Sequence, residues 1–232
     1  MSEHTNDDGF PDLLPFDALV NRVNALVEAM QQCADWRSRL DSLRSTSYTC
    51  SDLETGIGRF ADERWRRHVL AVLVADWACY APAVERVDLN RLLYVAHVFP
   101  QGFRVWWCRS SDGHDLPVGY AAWYPVSAQA FEVLTRHSDE LEDRFVPPLR
   151  GATPGGAAYV FNYSIIEPLR KTPASRALMQ TLARELDDAG QMRLAAIAVS
   201  GDGVRIAERF GMSRVGTLDI DGSDSEYVLA TV

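Results

Sequence analysis

The stretch Ser164-Ile-Ile-Glu-Pro-Leu-Arg-Lys-Thr-Pro-Ala-Ser-Arg-Ala-Leu178 decides the reading of this chain. Upstream of it, Ala157–Glu167 is dense in aromatic and β-branched residues and reads as a strand. Downstream, Ser175–Ala189 has helical periodicity and is closed by Gly190 as a C-cap. Between them lies the loop Pro168–Ala174, carrying the cations Arg170 and Lys171. A helix start offers unpaired backbone N–H groups and the positive end of its dipole. Beside two cations, those donors suit a pyrophosphate. The same residues also suit a plainer role, with Arg170, Lys171 and Ser175 capping and solvating a helix.

Working outward, Leu194–Ser200 is mostly apolar and reads as a strand buried on both faces. Gly203–Phe210 is a short helix ended by Gly211, and Ser213–Ile220 and Glu226–Val232 are closing strands joined through Asp221-Gly222. Toward the N-terminus, Phe103–Cys108 and Val118–Val126 form a hairpin around the turn Ser111–Asp115. Ser127–Phe145 reads as an amphipathic helix, and Pro147–Gly156 as a Pro- and Gly-rich loop. Arg59–Tyr80 is helical, with Phe60, Trp65, Val69, Leu70, Leu73, Val74 and Trp77 as its apolar stripe. Asp88 caps a further helix through Val98. Leu13–Arg44 has apolar residues at helical spacing, and Ser45–Gly58 reads as a linker or ordered loop. The expected division is a disordered tail over 1–12, a helical extension and linker over 13–58, and one α/β domain over 59–232.

The net charge of −9 and pI near 5.0 have the wrong sign for a protein that binds phosphate backbones or anionic membranes. No apolar run is long enough to span a bilayer. Met1–Phe10 lacks the basic start and apolar stretch of a signal peptide, so a cytoplasmic protein is expected. Cys33, Cys50, Cys79 and Cys108 lack metal-ligand spacing and read as reduced thiols, and no metal is expected. Lys171 is the chain's single lysine.

On two segments the chain resembles the GNAT superfamily of N-acyltransferases. The loop before the Ser175 helix is similar to the family's phosphate loop, with Arg170 at its basic position, Pro173 at its first glycine and Ser175 at its second. Gly203-Val-Arg-Ile-Ala-Glu-Arg-Phe-Gly-Met-Ser-Arg-Val-Gly216 resembles the short helix and Gly-aromatic pair that precede a later strand, with Met212 in place of the aromatic residue. The resemblance spans about Phe103–Val232. It implies an α/β (α+β) fold: a mixed, mostly antiparallel sheet flanked by helices, here with an N-terminal helical extension.

It also implies an enzyme that moves an acyl group from acetyl-CoA, a longer acyl-CoA or acyl carrier protein to an amine. The thioester's diphosphate would sit on Arg170, Lys171, Thr172, Pro173, Ala174, Ser175 and Arg176. The pantetheine arm would enter between two splayed parallel strands, Ala157–Glu167 and Leu194–Ser200, against the backbone near Ser164, Ile165 and Ile166. Many family members protonate the leaving thiolate with a Tyr; this chain has Ala207 there.

No residue stands out as a general base. Asn162 and Ser164, on one face of the first strand, are the polar candidates to orient a water or the substrate. Asn162 reads first as a buried, hydrogen-bonded strand residue. The large rings Trp106, Trp107, Tyr120, Trp123 and Tyr124, set against Gly119, Ala121 and Ala122, fit either an acyl slot or ordinary core packing. The layout from Pro117 onward also looks like the GNAT-like toxin-activating lysine acyltransferases, which take acyl groups from acyl carrier protein. Their catalytic His has no counterpart here, and their Asp falls near Asn162. A second class of function is a catalytically degenerate GNAT-like module that binds a partner, or forms a homodimer, through Leu13–Arg44.

Overall fold

A computed structural model of the chain describes residues 14–32, 44–47, 63–80, 87–110, 112–138, 145–218 and 226–231. The tail 1–12, Cys33, Cys50, most of the stretch expected to link residues 45–58, and the turn at Asp221-Gly222 lie outside the described residues. The described elements, in order, are α1 (Phe16–Gln32), β1 (Arg44–Ser47), α2 (Glu63–Cys79), α3 (Leu89–Val98), β2 (Phe103–Arg109), β3 (Asp115–Val126), α4 (Ala128–Arg136), β4 (Ala157–Ile165), α5 (Pro173–Asp188), β5 (Arg193–Ala198), α6 (Gly201–Arg209), β6 (Ser213–Leu218) and β7 (Glu226–Ala230). The strands form one seven-stranded sheet in the order β1-β2-β3-β4-β5-β7-β6.

This is the expected mixed α/β architecture, with informative differences at element ends. Arg44 does not close a helix. It opens β1, which pairs antiparallel with β2, Arg44 opposite Trp107 and Ser47 opposite Arg104. A four-residue polar strand gives no alternation to read; the pairing comes from the neighbouring strand. The helix expected over Ser127–Phe145 stops at Arg136, with Ser127 as its N-cap accepting from the Ala130 N–H at 3.0 Å. β4 ends at Ile165, and Glu167–Leu169 forms a single 3-10 turn. Helix α5 begins at Pro173 and not at Ser175. Proline is favoured at the first helical position because its φ is preset and its missing N–H would have no helical partner there.

The fold packs as two compact units, one of residues 1–89, 100–121 and 164–179, the other of 90–99, 122–163 and 180–232. In the first, α1 lies on α2 and on the 167–169 turn. Its apolar stripe, Leu19, Val20, Val23, Leu26 and Met30, is buried. Phe16 meets the exposed Trp77 edge-on at 5.9 Å, Arg22 pairs with Asp112, and Gln31 Nε2 donates to Glu167 Oε2 at 3.0 Å. The apolar stripe of α1 is therefore covered within its own unit; the rest of the proposed arm, residues 33–43, lies outside the described residues. On α2, Trp65, His68, Val69, Val72, Asp76 and Cys79 are buried, and Trp77 is not part of the core stripe.

In the second unit β4 and β5 run parallel, and β7 pairs antiparallel with both β5 and β6. Trp123 stacks edge-on against Phe99 at 5.0 Å, and Tyr124 lies 5.3 Å from Tyr159 and 5.6 Å from Phe161. The Tyr124 hydroxyl donates to the Val146 carbonyl at 2.8 Å. All five rings expected to line an acyl slot are buried.

His68, fully buried, has its pKa pulled from 6.5 to about 4, first by burial and then by the positive Arg104. The native state thus holds a neutral imidazole where the unfolded chain binds a proton below pH 6.5. Its contribution to stability is complete above that pH and is lost as pH falls toward 4. At pH 5 the loss is on the order of 2 kcal/mol. Urea unfolding of wild type and His68→Leu at pH 5 and pH 7.5 should show a steeper fall in the wild type; identical pH dependence in both would contradict this.

Candidate functional site

The junction of β4 and α5 is built from inside the first unit. The chain leaves β4 with the Ile166 N–H donating to the Val118 carbonyl of β3 at 2.9 Å. It then makes the 3-10 turn, with Leu169 N–H to Ile166 carbonyl at 3.0 Å and Arg170 N–H to Glu167 carbonyl at 2.9 Å. Lys171 follows with φ of 60°, the one non-glycine residue with positive φ among those described. A lysine in the left-handed region costs on the order of 1 kcal/mol, and such strain gathers at sites where the backbone is shaped for a task. The Thr172 hydroxyl donates back to the Leu169 carbonyl, and α5 opens with Arg176 N–H to Thr172 carbonyl at 3.3 Å.

Among the described residues, no backbone carbonyl accepts from the amides of Lys171, Thr172 and Ala174. Pro173 has no N–H to offer. Ala174 is buried, Thr172 and Ser175 are half-buried, and Lys171, Pro173 and Arg176 are exposed. The seven residues expected to hold a diphosphate thus lie together on one turn and the start of one helix. Arg170 differs from the rest: its Nε donates to the Ile165 carbonyl at 3.2 Å and its Nη2 to the Cys79 carbonyl at 2.9 Å.

Near the end of β4, Ile166 has both main-chain groups in use. Strand alternation turns the Ile165 N–H away from β3, while the Ile165 carbonyl is taken by Arg170 Nε. Ser164, 6% exposed, makes no hydrogen bond of good geometry through its Oγ. Its hydroxyl lies beside the Cys79 thiol. Asn162 is buried in the second unit at 8% exposure. There β4 and β5 are in register only from Ala157 opposite Arg193 to Tyr159 opposite Ala195. Both strands run on past that point, β4 to Ile165 and β5 to Ala198, without further paired residues. Ala207 is buried on α6, its carbonyl accepting from the Phe210 N–H at 2.9 Å, so no acid stands at that position.

Sequence reasoning missed the polar cluster behind the loop. Tyr120 Oη donates to Asp76 Oδ1 at 2.7 Å, and both residues are buried. Burial, then the Asp76 charge, holds the Tyr120 phenol well above its ordinary pKa. Burial also pushes the Cys79 thiol from 9.0 to about 12, outweighing the lowering effects of Ser164 and Arg170. Cys79 is thus a protonated, inert thiol. The signal was available: Asp76 occupies a position in the apolar stripe of α2, where a carboxylate requires a partner.

No protein-family model matches the sequence, and no curated protein sequence matches it. Solved structures match it in fold. One is a chain of the NatC complex bound to Gag peptide and CoA, with a TM-score of 0.52 at 9% identity, covering 82% of this chain and 98% of that one. Another is Ard1 from Thermoplasma volcanium, with a TM-score of 0.50 at 11% identity, covering 82% and 96%. The chain has the GNAT N-acyltransferase fold. The likeness extends well upstream of Phe103, where the sequence resemblance began.

Gly119 lets β3 close on β4 at this site. A Cβ there would lie 2.5 Å from the Ser164 carbonyl oxygen and 2.9 Å from the Ile165 Cα, both main-chain atoms that cannot swing aside. Gly119→Ala should therefore cost about 2 kcal/mol, read as a lower urea midpoint at unchanged slope. A variant as stable as wild type would show that the strands part without cost.

Proposed function

We propose that this chain is an N-acyltransferase that takes an acyl group from a thioester, acyl-CoA or acyl-loaded carrier protein, and passes it to an amine. The observation that supports this best is the α5 start, with the amides of Lys171, Thr172 and Ala174 open to a doubly charged linker beside the exposed Lys171 and Arg176. The GNAT fold and the short pairing of β4 with β5 agree with it. The diphosphate would rest on residues 171–176, and the pantetheine arm would run along the end of β4 at Ile165.

The amine attacks the thioester carbonyl, the C–S bond breaks, and the thiol leaves with a proton while the amine loses one. With Ala207 in place of an acid, no imidazole on the loop among the described residues, and the loop's Glu167 accepting from Gln31, rate would come mainly from holding the two reactants in line. Ser164, a buried hydroxyl without a settled hydrogen bond, suits the thioester or a bound water, and the Ile165 N–H suits an amide of the arm. Asn162 would orient the acceptor. Cys79 is too poorly ionised to serve as an acyl carrier, which favours direct transfer. Among the described residues no group of His, Cys, Asp and Glu is arranged to hold a metal ion, and no helix is long and apolar enough to cross a membrane.

Thermal melting with acetyl-CoA, longer acyl-CoAs and acyl-loaded carrier protein tests the reading. A donor at a hundred times its Kd adds about 2.7 kcal/mol, or roughly 5–11 °C in Tm. The acyl length giving the largest shift would identify the donor. No shift with any thioester, free or carrier-linked, would instead favour the partner-binding class.

A further inference from the structure

We infer that Arg170 is a positioning residue, clamping the phosphate loop to the last turn of α2 and the end of β4 without itself contacting phosphate. The inference rests on the donor-site reading above and departs from the expectation that Arg170 is one of the diphosphate's cations. Its two hydrogen bonds, to the Cys79 and Ile165 carbonyls, turn the guanidinium back toward the protein.

The partners explain why arginine is needed. Cys79 is the last residue of α2, and the final carbonyls of a helix lack helical donors and sit at the negative end of its dipole. Ile165 is the last residue of β4. One planar fork of donors reaches both carbonyls, which a lysine ammonium cannot do in a fixed geometry.

The far end of the clamp is itself held. Asp76, one turn before Cys79, takes the Tyr120 hydroxyl, and Cys79 Sγ lies 3.9 Å from the Val118 carbonyl. A hydrogen-bonded path therefore runs from β3 through the end of α2 and Arg170 to the loop. Arg170 is exposed like Lys171 and Arg176, but two of its donors are taken by these carbonyls, so direct charge on the phosphates falls to Lys171 and Arg176.

Hydrogen exchange on the ligand-free protein and CoA titration over a range of salt concentrations test this together, using Arg170→Ala, Arg170→Lys and Lys171→Ala. Removing the clamp should speed exchange of the hydrogen-bonded amides that bracket the loop, Leu169 and Arg176, about tenfold, with β7 amides unchanged as the check on folding. Both Arg170 variants should weaken CoA binding about tenfold while the salt dependence keeps its wild-type slope. Lys171→Ala should flatten that slope, as loss of a direct phosphate cation does. Wild-type affinity in Arg170→Lys, a flattened slope in Arg170→Ala, or unaltered loop exchange in Arg170→Ala would each overturn the clamp. If wild type binds no CoA yet Arg170→Ala speeds loop exchange, the clamp stands and the donor-site reading falls.

Discussion

The first turn of any α-helix leaves backbone N–H groups that no helical carbonyl can reach, and in this chain that constraint falls where β4 gives way to α5. Most helices answer it with a capping side chain. Here the nearest candidate, the Thr172 hydroxyl, donates backward to the Leu169 carbonyl. Among the described residues no backbone carbonyl accepts from the amides of Lys171, Thr172 and Ala174, which lie at the positive end of the helix dipole beside the exposed Arg170, Lys171 and Arg176. An anion with several oxygens is the complement of that surface. Much of the surrounding packing serves to keep the turn in place. Gly119 admits β3 to close range, Pro173 starts the helix early, and Lys171 accepts a left-handed backbone.

Helix α2 supports this arrangement from behind. Its buried side combines apolar packing with two titratable groups that stay in one protonation state near neutrality. His68 is neutral because burial and Arg104 disfavour its charge, and Cys79 is neutral because burial disfavours its thiolate. The Asp76 carboxylate has Tyr120 as a hydrogen-bond donor, so the charge is not left without a partner. A buried polar pair of this kind costs more to break than it contributes when intact, because one member is then stranded. It therefore favours a single packing of α2 against β3.

The order of elements was readable wherever periodicity or punctuation was strong. Gly190 and Gly211 marked helix ends, and both adopt positive φ, as glycine allows and other residues resist. The pattern over residues 157–200 gave β4, α5 and β5 within two residues. β1 was hidden because Arg44-Ser-Thr-Ser47 has no apolar alternation and is a strand only by pairing with β2. The loop was recognisable from Arg170, Lys171 and the helix beyond, yet the orientation of Arg170 was not. Nothing in the local sequence reveals that the Cys79 carbonyl, 91 positions away, takes its guanidinium. Tyr120 likewise read as one aromatic among several, and only the approach of Asp76 distinguishes it.

A crystal structure with CoA bound bears most directly on whether the α5 start is a diphosphate site. Phosphate oxygens about 3 Å from the amides of residues 171, 172 and 174, with the pantetheine arm leading toward the end of β4, are the expected result. CoA held with its diphosphate away from this turn, the same amides left to solvent, would contradict it.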